Sequence, residues 1–402
     1  MYIEREITEA FLSASKLNNV VVIVGPRQSG KTTFLKAQSK NTKENYLSFD
    51  DPDVKELFDA DIKRFENQYL SGDNVVVLDE IQYGKEPGSK LKYLADKGKK
   101  LWVTSSSQVA LGKEVLGWLV GRASVLALYP FSINEVLKAE GQKEVTPSIL
   151  NRMIERHIVY GGYPKVVLEK DISSKEAILK DLYQLMILKD VARTFNIEDG
   201  AGLERLAQYL SHNVGNLISY EALSRNLGLS SLSVKKYMNA MEKSYLIARV
   251  PSFYKNKLKE IVKQHKLYFI DTGMRSAVAN SFYISPETKG KLFENYVFSE
   301  LVKAGEDVRY WRSKTNAEVD FIVQRHGQPI PIEVKIKADK KHLVERSLQS
   351  FIEAYKPRKG FVVFYEGGPG TSKYKGCAID AVNIKDLLTA LKKMGKQSIP
   401  IK

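Results

Sequence analysis

Five short runs of apolar or β-branched residues mark the first third of the chain: residues 20–24 (VVVIV), 46–49, 75–78, 101–104 and 125–129. Long charge-rich stretches separate them. Runs that are apolar throughout, rather than alternating, suit strands buried on both faces, and the stretches between them suit helical crossovers. The pattern therefore predicts a parallel α/β sheet. From Phe131 to about Asn196 the period becomes helical, with one sharp break at Tyr160-Gly161-Gly162-Tyr163-Pro164. Residues 201–270 read as helices followed by a β-hairpin. After Gly290 a mixed pattern returns, with a helix from Lys291, strands at 308–311, 319–323, 330–334 and 361–365, and a last helix from Ile384. The expected fold class is α/β and multidomain: a parallel-sheet core over 1–135, a helical lid over 136–200, a helix-and-hairpin unit over 201–275 and a mixed α/β domain over 285–402.

Composition narrows the class. With 43% hydrophobic and 27% charged residues in 402, the chain can bury sizeable cores and lies far from disordered compositions. Its single cysteine, Cys377, excludes a disulfide framework and a Cys-rich zinc site, and its histidines show no metal-ligand spacing. No apolar run approaches the roughly 20 residues that span a bilayer, and the N-terminus lacks the layout of a secretory signal. A cytoplasmic protein without a membrane partner is expected. The net charge of +15 permits a polyanionic partner without selecting one.

The sharpest chemistry is Gly25-Pro26-Arg27-Gln28-Ser29-Gly30-Lys31-Thr32, which satisfies G-x-x-x-x-G-K-[ST] directly after a strand and before a helix. Glycines let backbone N–H groups curl round phosphates, Lys31 reaches the β/γ oxygens, and the Thr32 hydroxyl can ligate Mg²⁺. Gly25, Gln28, Ser29, Gly30, Lys31, Thr32 and Thr33 are the expected ATP cradle, helped by the helix N-terminus. Its partner is VVVLDE, where Asp79 would hold Mg²⁺ and Glu80 would orient the attacking water. Thr104 to Ser107 offer hydroxyls for a phosphate sensor, and Arg122 offers charge for the transition state, in cis or across a subunit contact.

GPRQSGKTT, VVVLDEIQ, TSSS, LVGRA, YPFSINE and Gly161-Gly162-Tyr163-Pro164 together resemble the archaeal and bacterial AAA-type ATPases that carry a C-terminal domain of unknown function, DUF4143. The resemblance covers nearly the whole chain. It implies a P-loop core with an additional strand, Lys31 and Thr32 on nucleotide and Mg²⁺, Asp79 and Glu80 as the second acidic motif, and Arg122 as an arginine sensor.

Residues 220–230 read as a helix closed by Gly228, and 231–243 as a second helix with Val234, Tyr237, Met238 and Met241 on one face. This is a helix-turn-helix layout, and the hairpin after it would complete a winged helix. Ser233, Lys235, Lys236 and Asn239 are the candidate DNA contacts, with Lys255, Lys257, Lys259, Lys263 and Lys266 on the wing.

Near the C-terminus Glu294 sits in a helix, Asp320 on one strand, and Glu333 and Lys335 on the same face of the next. Two carboxylates on consecutive strands can share a divalent ion, Mg²⁺ or Mn²⁺, and Lys335 can then position the attacking hydroxide. The set is similar to the PD-(D/E)xK nucleases, whose layout falls here on Glu294, Asp320, Glu333 and Lys335. The expectation is an ATP-hydrolysing DNA-binding protein with Mg²⁺-dependent nuclease activity, able to form a homo-oligomer. The alternative is a nucleotide-dependent switch whose nuclease-like domain is inactive and holds a protein or DNA.

Overall fold

The computed structural model describes residues 2–39, 46–72, 74–106, 117–119, 121–142, 144–254, 260, 263–337 and 343–395, with backbone alone at 188–190 and 193. Ser107 and the wing residues Lys255, Lys257 and Lys259 lie outside the described residues. The chain divides into two compact units, one of 1–131 with 163–165 and 243–245, the other of 132–162, 166–242 and 246–402.

In the first unit the predicted runs form β1 (Val20–Val24), β2 (Tyr46–Ser48), β3 (Val76–Asp79), β4 (Leu101–Ser105) and β5 (Ala123–Ala127). All pair in parallel, in the order β2-β3-β4-β1-β5. Strand β4 stands between β1 and β3, which is the additional strand the resemblance implies. Every residue of β1 is buried. Its alternation explains this: Val20, Val22 and Val24 join Phe49, Phe58, Phe65, Leu91 and Leu94 on one side, while Val21 and Ile23 join Phe11, Phe34 and Leu35 on the other. Each buried Val or Ile stabilises by about 1.5–3 kcal/mol relative to exposure, so the centre of the sheet, where the phosphate loop springs, is its most firmly held part.

The second unit opens with the helices Ile133–Ala139, Pro147–Tyr160 and Ile172–Leu185, the last running on as a π-helical segment, Met186–Arg193. Next come helices Gly200–His212, Tyr220–Leu227 and Ser231–Lys243, then the antiparallel pair β6 (Ile247–Val250) and β7 (Lys266–Phe269). Gly228 ends the Tyr220–Leu227 helix at φ +64, a left-handed conformation that glycine adopts without cost.

A six-stranded mixed sheet follows: β8 (Arg309–Arg312), β9 (Glu318–Arg325), β10 (Gln328–Lys337), β11 (Lys359–Glu366), β12 (Gly370–Tyr374) and β13 (Cys377–Val382), in the order β12-β13-β11-β10-β9-β8. Helix Pro286–Lys303 starts earlier than the expected Lys291, because the Ser285 side chain caps Thr288 N–H and Pro286 opens the first turn. Cys377 is buried in the core of this sheet.

The Gly161-Gly162 break and Asp271-Thr272-Gly273 explain each other. Asp271 accepts from Met274 N–H at 3.1 Å, capping helix Thr272–Val278, and from Gly162 N–H at 2.8 Å. A Cβ on Gly161 would lie 1.9 Å from Asp271 Oδ1, and one on Gly273 would lie 2.2 Å from the Tyr160 carbonyl oxygen. Both glycines are required by close approach. No described helix is long and apolar enough to cross a membrane.

Candidate nucleotide site and carboxylate centre

The loop between β1 and helix Lys31–Gln38 has the backbone its sequence demands. Gly25 lies at φ +153 with room for no side chain, since a Cβ would sit 2.1 Å from the Leu128 carbonyl oxygen. Gly30, at φ +95, begins the helix. Gln28, exposed at the crown, takes φ +58 without being glycine, a strained conformation of the kind held at binding loops. Lys31 is buried, its Nζ 3.1 Å from Gly25 O and 3.0 Å from Pro26 O. Ser29 Oγ is buried with no hydrogen-bond partner. Thr33 is exposed in the first helical turn. A curled loop, a buried ammonium and an orphaned hydroxyl fit a phosphate chain, with the helix dipole behind it.

Strand β3 delivers Asp79 beside this loop, across the inserted β4. Asp79 accepts from Thr32 Oγ1 at 2.9 and 3.0 Å, from Thr104 Oγ1 at 2.6 Å and from Tyr46 OH at 2.6 Å. Burial, then the bond to Asp79, pushes the Tyr46 phenol above its ordinary range. Thr32 and Asp79 are thereby placed as a pair of oxygen ligands suited to Mg²⁺. Glu80 turns into left-handed backbone at φ +56, and its N–H donates to Thr104 Oγ1 at 2.9 Å. Its carboxylate accepts from Gln82 Nε2 and from Ser106 Oγ at 3.1 Å. Thr104 and Ser106, read as sensor hydroxyls, thus touch the two acids.

Arg122 does not join them. It precedes β5, whose Ala123 pairs with Val20 at the start of β1, whereas the phosphate loop leaves the end of β1. Five residues at about 3.3 Å each put the strand ends roughly 16 Å apart. Arg122 instead pairs with Asp96 at 2.5 Å, both partly exposed. Of the two roles expected for it, in cis or across a subunit contact, this placement leaves Arg122 away from the loop end of β1 within one copy. The arginine that does touch the loop is Arg5, which the sequence reading missed: it donates to Ser29 O at 2.9 Å and Tyr129 O at 2.6 Å and lies over the Phe131 ring. No motif marks it.

The second constellation is brought together in the other unit. Glu294, Asp320, Glu333 and Lys335 line one cavity of about 340 Å³ with Lys291. The β9–β10 register pairs Phe321 with Ile332, so Asp320 and Glu333 fall on adjoining positions. Asp320 Oδ2 accepts Val334 N–H at 2.8 Å, and Lys335 Nζ lies 3.1 Å from Glu333 and 2.9 Å from Glu345. Among the described residues no group of three His, Cys, Asp or Glu side chains stands together as a ready metal cage. Lys266 stands among these carboxylates. Expected on an exposed wing, it is 1% exposed, and its Nζ lies 3.1 Å from Glu294 and 2.6 Å from Glu318.

The charges respond to one another. Burial works against the Lys266 ammonium, but Glu294, Asp320 and Glu318 outweigh it and hold its pKa above the lysine range. Burial also works against Glu294, and Lys266, Lys291 and the Tyr268 hydroxyl hold it below the usual carboxylate range. Asp320 and Glu333 go the other way, raised by burial and by the neighbouring carboxylate, Glu294 for Asp320 and Asp320 for Glu333.

Family models match three successive stretches of the chain. An AAA domain model matches residues 17–137, a domain of unknown function (DUF8612) matches 151–283, and another (DUF4143) matches 289–385. The chain thus contains an AAA domain and, C-terminal to it, a DUF4143 domain. An uncharacterized protein of Methanocaldococcus jannaschii is 27% identical over 363 residues, covering 85% of this chain and 80% of that protein. One of Haemophilus influenzae is 26% identical over 339 residues, covering 78% and 82%. Among solved structures, a Walker-type ATPase of Pyrococcus abyssi is 14% identical with TM-score 0.47, covering 69% of this chain and 96% of its own.

The DUF8612 stretch includes the helices Tyr220–Leu227 and Ser231–Lys243. Val234, Tyr237, Met238 and Met241 are buried as their spacing predicts, and Lys235 and Lys236 are exposed on the opposite side. Lys236 Nζ donates to Asn196 O at 2.8 Å. Ser233 is drawn into the helix start, its N–H and hydroxyl meeting Ser230 Oγ at 3.0 and 2.8 Å, and Asn239 is half-buried.

Proposed function

We propose that the chain binds and hydrolyses ATP with Mg²⁺ and couples this to holding DNA. The observation that carries the first half is the meeting of Thr32, Asp79, Thr104 and Glu80 at the edge of the sheet where the phosphate loop begins. Gly25 to Thr33 would cradle the phosphates, Lys31 would neutralise them, and Thr32 with Asp79 would hold Mg²⁺, which supplies charge stabilisation when bound. Glu80, steered by Ser106 and Gln82, is the group that would orient water. Arg122 enters this chemistry only across a contact with a second copy of the chain.

For DNA, the supporting features are the helix-turn-helix with exposed Lys235 and Lys236, and the net charge of +15. We read residues 136–200 as the lid, 201–275 as a winged helix with Ser233, Lys235, Lys236 and Asn239 facing DNA, and 285–402 as a PD-(D/E)xK nuclease-like domain. Its Glu294, Asp320 and Glu333 would take Mg²⁺ or Mn²⁺ beside Lys335. The burial of Lys266 among these carboxylates favours the second reading, in which this domain holds DNA without cutting it under ordinary conditions.

ATP turnover in Mg²⁺ should disappear in Lys31→Ala. DNA affinity should fall steeply with salt, and Lys235→Glu with Lys236→Glu should flatten that slope by about two charges. Turnover unchanged by Lys31→Ala would refute the ATPase reading, and DNA affinity indifferent to salt would refute the second half.

A further inference from the structure

The carboxylate centre contains a cation of its own. Lys266 and Tyr268 share one face of β7 by strand alternation, and both reach the same oxygen: Lys266 Nζ is 3.1 Å and Tyr268 OH 2.6 Å from Glu294 Oε1. The strand is pinned to the Glu294 helix. Asn295 exchanges two hydrogen bonds with the Phe269 backbone, at 2.9 and 2.8 Å, and Ser299 Oγ donates to Ile270 O at 2.6 Å. The ammonium is therefore delivered by packed elements, not by a wandering side chain.

On the cavity side the opposite holds. Glu333 is 7% exposed, and its Oε2 is buried with no hydrogen-bond partner, although its residue lines the cavity with Asp320. A buried carboxylate oxygen left without a donor is costly, and a space of this size beside it can admit an ion with its waters. One carboxylate of the set is saturated by an ammonium while another has an oxygen unmet. Lys291, half-exposed, meets the other oxygen, Glu294 Oε2, at 3.1 Å; a divalent ion taking Oε1 would stand against the buried Lys266 ammonium, and like charges that close in a buried setting repel strongly.

We propose that Lys266 is a built-in competitor for a divalent cation at this centre. Its ammonium occupies Glu294, so the chain takes Mg²⁺ or Mn²⁺ weakly, and the ion binds tightly only when the ammonium is removed or drawn away. The inference rests on the reading of Glu294, Asp320 and Glu333 as a cation site. Lys266 acts as a positioning residue: it sets whether Glu294 is available.

The test is an Mn²⁺ titration of the full-length, nucleotide-free chain, followed by the electron paramagnetic resonance of free Mn²⁺. Parent, Lys266→Met, Lys266→Arg and the double variant Lys266→Met/Asp320→Asn are compared, so that background binding at Asp79 is common to all. Lys266→Met should bind one ion at least about tenfold more tightly than the parent. Lys266→Arg, which keeps the charge, should not, and the gain should vanish with Asp320→Asn. Equal affinity in parent and Lys266→Met, both dependent on Asp320, would overturn the role of Lys266 and leave the cation site standing. Binding that ignores Asp320 in every variant would overturn the site itself.

Because removing a buried cation can destabilise, melting is recorded alongside. Lys266→Met should melt below the parent in EDTA and regain more with Mn²⁺ than the parent, whose shift reports the Asp79 background. Failure of Mn²⁺ to recover it would count against the proposal. Lys266→Met/Glu318→Gln, which also removes a carboxylate that would otherwise be left unpaired, supplies a second background for the same titration.

Discussion

Asp79 and Glu333 are buried carboxylates handled in opposite ways. Three hydroxyls, from Thr32, Tyr46 and Thr104, converge on Asp79, so its charge is solvated by the protein and ready for a cation. Glu333 meets Lys335 with one oxygen and nothing with the other. Burial and the Asp320 charge hold its carboxyl above the ordinary range in the folded chain. A folded pKa above the unfolded one stabilises fully below the unfolded value, about 4.3 for Glu, and that stability is lost as pH rises through the folded value. In EDTA, Glu333→Gln should thus match the parent near the acid end of the range. Above neutrality it should be the more stable by about 1 kcal/mol or more, as read by urea denaturation across that pH range. A difference that does not grow with pH would contradict this account of Glu333.

At the scale of elements, Asp271 joins two segments far apart in sequence by capping a helix and holding Gly162 N–H. Asp271→Ala removes both bonds and leaves buried donors unmet, so it should cost about 2–4 kcal/mol in denaturant unfolding. A loss within 0.5 kcal/mol, the range of ordinary surface substitutions, would show the junction to be unimportant. Elements made of continuous apolar runs were legible in the sequence, as β1 and β3 show, because burial on both faces leaves no polar positions to confuse the period. The polar GTSKY of β12 was not, since its residues are only partly covered and carry no apolar signal. The P-loop, Asp79 and Glu80 were legible because the chemistry demands fixed residue types at fixed spacing. Arg5 was not: it reaches backbone carbonyls, and any cation at a suitable place in the fold could do so. Lys266 read as a wing lysine because spacing cannot reveal which face of a short strand meets a carboxylate from another helix.

For the whole molecule, the net charge of +15 overstates the surface available to a polyanion. Buried Lys175 and Arg275 carry two of its charges inside the fold, on the carbonyls of Val166 and Ser211, whereas Lys266 with Glu294 and Arg325 with Glu306 cancel within the net sum. The proposed DNA contacts draw on the exposed Lys235 and Lys236 side of one helix. The nucleotide site is the firmer part of the account, because loop, acid and hydroxyls meet within one unit on one edge of one sheet. Its most direct test is Glu80→Gln, assayed for Mg²⁺-dependent ATP turnover and for nucleotide binding in the same preparation. The substitution keeps the shape that Ser106 and Gln82 hold but removes the charge that would orient water. Turnover should fall by about 100-fold or more with ATP affinity retained, whereas turnover equal to the parent's would contradict the assignment of this edge as a hydrolytic site.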